Sequence, residues 1–219
     1  MDTASTATAT ATASATATGT AAPLRMLKPV RATAETLAGY GYLIGEPAGL
    51  SRDKIDFYGR EVRVTQPAKF HGNDDLCLNL VSFTERELAV RWMEFHTKHT
   101  QTFIPLAGKP FYMVLGKPTA RRADGSWDES ATPLPDPSTV QAFWFDGSGG
   151  IVMEVGTWHE VPFPTDGDTH FVCICTNETN DNLEAQGPDG DCEGGDLSKR
   201  RLVKHLGYSF GVIPETPAA

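Results

Sequence analysis

The chain lacks long apolar runs, an excess of basic residues and a high cysteine content. Its hydrophobic segments are short and interrupted, so we expect no stretch that spans a membrane. With 19 lysines and arginines against 28 aspartates and glutamates, the formal net charge is -9. This acidic balance argues against nucleic acid as a partner, because a phosphate backbone demands a basic protein face.

The cysteines are too few for a disulfide framework. The chain has 4 of them, at Cys77, Cys173, Cys175 and Cys192. Cys173 and Cys175 lie two apart in a strand-like run and therefore point to the same face. This spacing is neither that of a zinc ribbon nor that of a redox Cys-x-x-Cys motif. It indicates reduced thiols in a core, and we expect a reducing compartment, the cytoplasm.

Composition divides the chain into three parts. Residues 1–22 alternate Ala and Thr, without the basic start and apolar stretch of a signal peptide. They cannot bury enough apolar area to offset their conformational entropy, which predicts a disordered tail. Residues 23–185 form the predicted domain. Residues 186–219 are acidic and glycine-rich, then basic, which suggests a C-terminal tail whose basic run forms a short helix docked on the domain or a partner subunit.

The domain itself has the pattern of β-structure. Thr33 to Leu37 is typical of a capped helix start, and predicts a short N-terminal helix that ends near Tyr40. Later runs are rich in β-branched and aromatic residues and are bounded by Gly, Pro, Asn or Asp. The candidate strands are 61–64, 76–83, 90–95, 101–104, 111–115, 140–145, 151–155 and 171–175. Residues 146–150 predict a hairpin. This spacing indicates a mainly β barrel or sandwich.

Two fragments set imidazoles inside strand-like runs, from Glu94 to Leu106 and from Gly156 to His159. A buried histidine needs a hydrogen-bond partner, a metal or a substrate, because an unpaired polar group is costly away from water. Period-two geometry places His99 and Gln101 on one face of an extended segment. We therefore expect one polar pocket inside the barrel. The alternative is that His96 and His159 are core histidines bonded to backbone, and that His99 lies at a solvated edge.

The same fragments resemble the two motifs of the cupin superfamily. His99 matches the first histidine of a His-x-His pair, with Gln101 at the second position and Pro105 near the usual Glu. Gly156 and His159 match the second motif. The resemblance implies a double-stranded β-helix barrel (RmlC-like) of two packed antiparallel sheets.

Read together, the fragments resemble the ureidoglycolate lyase family more closely. The matching elements are Glu94-x-His96, Thr100 to Pro105, Ala142-Phe143, Asp146-Gly147, Trp158-His159 and the opening segment Ala34 to Ile44. The similarity covers about residues 25 to 185. It implies a compact cupin homodimer that splits ureidoglycolate, in allantoin degradation, into glyoxylate and urea.

The chain departs from the family pattern at four positions. These are Phe95 in place of a basic residue, His99 in place of a small one, and Glu154 and Glu160 in place of histidines. A substrate carboxylate normally requires a cationic clamp. Arg60, Arg63 and Lys69 could supply the missing charge.

The implied reaction requires one group that accepts a proton and one that donates it. A base removes the α-hydroxyl proton, the carbonyl forms, and the departing urea nitrogen is protonated. Histidine titrates in the appropriate range. We expect His96 and His159 to be the acid–base pair, with Glu94 orienting or activating His96. The expected substrate-binding residues are Gln101, His99, Trp158 and Glu154.

Metal use is left open by the sequence. His99, Gln101 and His159 could hold a divalent first-row ion, although the second histidine and the glutamate usual in cupins are absent. Two other functions therefore remain beside the lyase. One is a metal-dependent cupin dioxygenase or isomerase, and the other is a barrel that binds a small metabolite without chemistry.

Overall fold

The computed structural model describes residues 22–45, 65–84, 86–122, 124, 126, 128, 132–186 and 190–218. Most of the predicted disordered tail, the predicted strand at 61–64 and two candidate cations, Arg60 and Arg63, lie outside these residues. Within them, no helix is both long enough and apolar enough to cross a membrane.

The described residues form mainly β-structure, with two helices towards the C-terminus. The first eight strands are β1 Leu24–Leu27, β2 Val30–Arg31, β3 Gly41–Ile44, β4 Leu76–Phe83, β5 Ala89–Val90, β6 Trp92–His96, β7 Gln101–Pro105 and β8 Phe111–Gly116. The remaining strands are β9 Gln141–Phe145, β10 Gly150–Met153, β11 Trp158–His159, β12 Phe163–Pro164, β13 Thr169–Thr176, β14 Cys192–Gly194, β15 Leu197–Arg201 and β16 Ser209–Val212. The helices are α1 Asn177–Gln186 and α2 Leu202–Leu206. The mainly β prediction is confirmed.

The strands form three sheets. The central sheet has the order β14-β15-β6-β11-β8-β9-β2, with β12 also paired to β8. The front sheet has the order β3-β10-β7-β13-β4, and the back sheet has the order β1-β16-β5. All neighbours in the front sheet are antiparallel. The central sheet is antiparallel except for its β2–β9 edge.

The central sheet lies between two hydrophobic cores, and β8 shows why. Phe111 and Met113 share a core with Phe171 of the front sheet, whereas Tyr112 and Val114 share one with Phe210 of the back sheet. All six residues of β8 are buried. A strand covered on both faces reads as a continuous apolar run rather than an alternating one. The central sheet therefore presents one face to the front sheet, and that face carries the site.

The predicted hairpin at residues 146–150 is wrong. β9 belongs to the central sheet and β10 to the front sheet, so the turn carries the chain from one sheet to the other. The turn itself forms as its residues suggest: Asp146 Oδ1 accepts a hydrogen bond from the Ser148 N–H at 3.0 Å. Gly147 has φ 87°, and a Cβ there would meet Gly108 O at 2.3 Å. Turn chemistry determined the reversal but not the sheet that the next strand joins.

The predicted N-terminal helix is reduced to consecutive turns at residues 34–40. Its cap forms as expected, because Thr33 and Thr36 each bond the other's backbone N–H through their hydroxyls, at 2.9 and 3.1 Å. Leu37 is fully buried under the turn. Gly39, with φ 83°, then ends the helical geometry.

Residues 192–212, assigned by composition to a C-terminal tail, instead contribute strands to two sheets. β15 pairs antiparallel with β6, and β16 lies between β1 and β5. The basic run forms the end of β15 followed by the short helix α2. β15 has little apolar character of its own, and its strand form depends on backbone hydrogen bonds to β6.

Candidate active site

Strand alternation directs a polar cluster towards the front sheet. On β6, Met93 and Phe95 pack in the core behind the central sheet. Glu94 and His96 therefore point to the opposite face. On β11, His159 is the direct cross-strand neighbour of Glu94. Adjacent central strands thus place these polar side chains side by side.

Three imidazoles converge in this cluster. The ring centres of His96 and His159 are 5.2 Å apart, and those of His96 and His99 are 4.5 Å apart. His99 reaches the cluster from the segment between β6 and β7. The residues are 1–3% exposed, so the rings are removed from water. The sequence predicted His96 and His159 in one polar pocket, and the two rings are neighbours here. His99 lies inside the cluster rather than at a solvated edge.

His159 is fixed in one tautomer by the backbone. Its Nδ1 is 2.9 Å from the Thr157 carbonyl oxygen, which can only accept, so Nδ1 carries the proton. Nε2 therefore presents a lone pair, 3.7 Å from Glu94 Oε1. Two acceptors that face each other in a buried site leave room for a donor or a cation between them. Burial lowers the pKa of His159, although Glu94 opposes this effect.

Lys199 of β15 neutralises Glu94. The two residues are cross-strand neighbours, and Lys199 Nζ lies 2.7 Å from Glu94 Oε2. Burial, the largest single influence, would raise the pKa of Glu94, but the charge and hydrogen bond of Lys199 together with the two histidines outweigh it and the pKa falls to about 2. The Lys199 side chain is 29% exposed, whereas that of Glu94 is 7% exposed. The lysine thus links the buried cluster to solvent.

Asp196, in the turn between β14 and β15, anchors the other side of the cluster. Its Oδ1 accepts hydrogen bonds from the backbone N–H groups of Thr97 and Lys98, at 3.0 and 2.6 Å. Its Oδ2 accepts from the hydroxyls of Thr176 and Thr179, both at 3.2 Å, and lies 2.5 Å from His99 Nδ1. Burial opposes ionisation, yet the contact with His99 and the other donors hold the pKa of Asp196 well below its usual range. Asp196 is therefore a carboxylate.

His96 lies between the two carboxylates. Its Nδ1 is 3.5 Å from Thr179 Oγ1 and 3.9 Å from Asp196 Oδ2. Burial, followed by the neighbouring His159, lowers the pKa of His96 to about 3. The ring is therefore uncharged near neutral pH. Its Nε2 has no hydrogen-bond partner among the described residues, and the same holds for Nε2 of His99 and His159 and for Gln101 Oε1.

A sequence model of the family described as ureidoglycolate lyase matches residues 24–193. The chain belongs to the ureidoglycolate lyase family. A Pseudomonas aeruginosa (strain LESB58) protein named ureidoglycolate lyase is 26% identical over 165 residues, which are 74% of this chain and 89% of the relative. A Pseudomonas paraeruginosa protein of that name is 28% identical over 164 residues, with the same coverage. An Escherichia coli (strain K12 / DH10B) protein of that name is 26% identical over 145 residues, 57% of this chain and 82% of the relative.

Family membership confirms the resemblance on which the cupin prediction rested. The facing antiparallel sheets of the central and front layers agree with a cupin barrel. The ureidoglycolate lyase match ends at residue 193, inside β14. Asp196 and Lys199 therefore lie beyond the part of the chain that the family model covers.

These two residues are the ones that sequence reasoning missed. They lie in the segment set aside as a tail, and their partners on β6 and in the segment after it are about 100 positions earlier in the chain. One local signal could have identified the turn between β14 and β15: Gly194-Gly195 between two polar residues is typical of a tight hairpin. Gly195 has φ 61°, as such a turn requires.

Two of the predicted site residues are not brought to the cluster. Trp158 precedes His159 on the same strand and must point the other way, into the back core, where its Nε1–H donates to Thr119 Oγ1 at 2.8 Å. Glu154 is half-buried and lines a separate cavity of about 380 Å³ with Tyr42 and Lys69. Lys69, a candidate cation, thus faces that cavity, and the cation at the cluster is Lys199. Gln101 is buried at the start of β7, on the same face as Phe103.

The donor set fits a divalent metal ion. Two trios have ligand atoms within 4.8 Å of one another: Glu94 with His96 and His159, and His96 with His99 and Asp196. Imidazole and carboxylate donors suit first-row divalent ions. Five donors already crowd the oxygens of Asp196, so the Glu94 trio, with its unpartnered Nε2 atoms, is the better fit. Neither trio contains both His99 and His159, which the sequence grouped with Gln101 as candidate ligands.

Proposed function

We propose that the protein is a carbon–nitrogen lyase that cleaves ureidoglycolate into glyoxylate and urea. The observation that carries the proposal is the pair of buried, unpartnered imidazole nitrogens, His96 Nε2 and His159 Nε2, beside an ionised glutamate. Membership of the family and the names of its relatives support this substrate. They favour it over the dioxygenase, isomerase and non-catalytic alternatives.

His159 is the proposed base for the α-hydroxyl proton. Its Nδ1–H is tied to the Thr157 carbonyl, so Nε2 is available to accept the proton. Glu94, 3.7 Å from that nitrogen, stabilises the imidazolium that forms. As the proton leaves, the hydroxyl oxygen becomes the carbonyl of glyoxylate and the C–N bond breaks, with its electron pair passing to the urea nitrogen.

The same proton completes the reaction on the departing nitrogen. It passes from His159 either directly or through His96, whose ring centre is 5.2 Å away. Because the pKa of His96 is lowered to about 3, its protonated form readily gives the proton up. The balance is one proton moved from oxygen to nitrogen and one C–N bond broken.

Substrate binding is assigned to two polar side chains, those of Lys199 and Gln101. Lys199 uses one N–H on Glu94 and has others for the substrate carboxylate. Gln101 Oε1, buried and unpartnered among the described residues, can accept from a ureido N–H. Lys199 thereby takes the role for which the sequence suggested Arg60, Arg63 or Lys69.

The binding of a divalent metal ion is a separate part of the proposal. Glu94, His96 and His159 would hold it, in which case the Nε2 lone pairs of the two histidines would bind the ion and would not accept the substrate proton. When bound, such an ion supplies Lewis-acid polarisation of a substrate oxygen.

We also propose a homodimer, as the family resemblance implies, and a reducing, cytoplasmic location, which the 4 free cysteines support.

Incubation of the purified protein with ureidoglycolate tests the activity. Glyoxylate and urea should appear in equal amounts, faster than by spontaneous decomposition, and His159→Asn should abolish the excess rate. The matched control is His170→Asn, because His170 is an exposed histidine on β13 that bonds Ser82. No release above background, or full activity in His159→Asn, would refute the assignment. Parallel reactions with EDTA and with added Mn²⁺ or Ni²⁺ test whether the activity requires a divalent metal ion.

A further inference from the structure

His99 is a buried imidazole that the proposed proton transfer does not use. It is 1% exposed; its Nε2 has no hydrogen-bond partner within the described ranges, and its Nδ1 has only the 2.5 Å ion-pair contact with Asp196 Oδ2. Leaving such a group unpaired is costly away from water. Its ring lies against that of His96, with centres 4.5 Å apart, so Nε2 belongs to the same buried site. The position calls for a hydrogen-bond donor from a ligand.

Asp196 determines which way His99 presents its nitrogens. The carboxylate is fully buried and is held by backbone N–H groups of Thr97 and Lys98 and by hydroxyls of Thr176 and Thr179. With His99 Nδ1 only 2.5 Å from Oδ2, an ionised carboxylate requires the proton on Nδ1. The lone pair is then on Nε2, as in carboxylate–histidine pairs generally.

We propose that Asp196 is a positioning residue that holds His99 as the Nδ1–H tautomer, so that His99 Nε2 accepts a hydrogen bond from the ureido group of the substrate. This inference rests on the proposed function and names the part of the substrate that is recognised. A ureido group is rich in N–H donors, and the site offers it two unpartnered acceptors, Gln101 Oε1 and His99 Nε2. Asp196 lies beyond the family match, so this recognition is contributed by the β14–β15 turn of this chain.

Steady-state kinetics with ureidoglycolate provide the first test. His99→Ala and Asp196→Asn should each raise KM by about 10–100-fold with a smaller change in kcat, because the interaction serves binding. The double variant should be no worse than His99→Ala. The matched control is Ser198→Ala in the same hairpin, because Ser198 lines a cavity with Phe95 on the opposite face of the sheet. Additive losses, or a fall in kcat alone, would overturn the proposal.

The ring tautomer provides a readout that needs no activity. In ¹⁵N-histidine-labelled protein with EDTA, His99→Ala identifies the His99 ring signals. The wild type should show a protonated Nδ1 and an unprotonated Nε2, and Asp196→Asn should change this pattern. A proton on Nε2 in the wild type refutes the proposal, even if Asp196→Asn fails to fold. If the tautomer is as expected but no lyase activity is found, the positioning role stands and the proposed substrate fails.

Discussion

Replacing Lys199 with methionine tests the central electrostatic feature of the site. The substitution keeps most of the aliphatic stem but removes the cation that lies 2.7 Å from Glu94. Glu94 would remain in a pocket where its side chain is only 7% exposed. Removing one partner of a buried ion pair typically costs about 3–5 kcal/mol. Because the Lys199 side chain is 29% exposed, part of that interaction is already screened, and we expect about 2–3 kcal/mol.

The pKa of Glu94 gives a consistent magnitude. Its fall from 4.5 to about 2 corresponds to roughly 3 kcal/mol at 1.36 kcal/mol per unit, and Lys199 is the largest favourable cause. A depressed carboxyl pKa contributes stability that is present above about pH 4.5 and lost as the pH falls towards 2. The difference in free energy of unfolding between wild type and Lys199→Met should therefore have its full value at pH 7.5. It should shrink at acidic pH, where Glu94 of the variant is protonated first.

Urea unfolding of a double-mutant cycle measures this effect. Lys199→Met should lower the free energy of unfolding by about 2–3 kcal/mol at pH 7.5. Glu94→Gln should cost less, since the freed lysine can reach solvent, and the double variant should recover much of the loss, giving a coupling energy of about 2 kcal/mol. The control is Lys98→Met, which breaks an exposed pair with Glu178 at 2.7 Å and should cost at most about 1 kcal/mol. A loss below about 0.5 kcal/mol in Lys199→Met, or no recovery in the double variant, would refute the reasoning.

Three further predictions concern other parts of the molecule. The pKa of His96 is lowered to about 3, so as the pH falls the unfolded state binds a proton at this residue before the folded state does. The free energy of unfolding should therefore fall by up to about 1.4 kcal/mol per pH unit as the pH is lowered from about 6 to 3. Urea unfolding of His96→Gln, measured over the same pH range, should lack this slope. Gly147→Ala should lower the melting temperature by more than Gly167→Ala. The new Cβ at position 147 would meet Gly108 O at 2.3 Å, whereas a Cβ at position 167 would have nothing within 4 Å. Equal losses of melting temperature would contradict this steric argument. Cys77 is half-buried and the other three cysteines are buried, so a thiol reagent should modify Cys77 first, and simultaneous reaction of all four in the native protein would contradict the described core.

Local patterns in the sequence predicted the strands whose residues are either all buried or alternately more and less buried. The strand predicted at residues 76–83 coincides with β4, and those predicted at 111–115 and 171–175 lie within β8 and β13. The same alternation, applied to Glu94 and His96, accounts for their lying on one face. It could also have excluded Trp158 from the site, because neighbouring residues of a strand point to opposite faces. These predictions succeed because side-chain direction in a strand depends only on the residue's own position.

The failures concern pairing between distant segments. The turn at residues 146–150 has the residues of a hairpin, yet its flanking strands join different sheets. The Lys199–Glu94 contact joins positions 105 residues apart, and the Asp196 contacts with Thr97 and Lys98 join positions 99 and 98 apart. Nothing in the composition of β15 marks β6 as its partner.

The sequence by itself therefore determined the β-rich fold class, the inward direction of His96 and His159, and the family. Only the tertiary structure decided that a C-terminal hairpin completes the cluster with Asp196 and Lys199. The physical reason is that strand periodicity is encoded within a few residues, whereas a buried charge finds its partner only when distant strands meet. Backbone hydrogen bonds hold those strands together, and because they carry no side-chain identity, the pairing cannot be read from the local sequence.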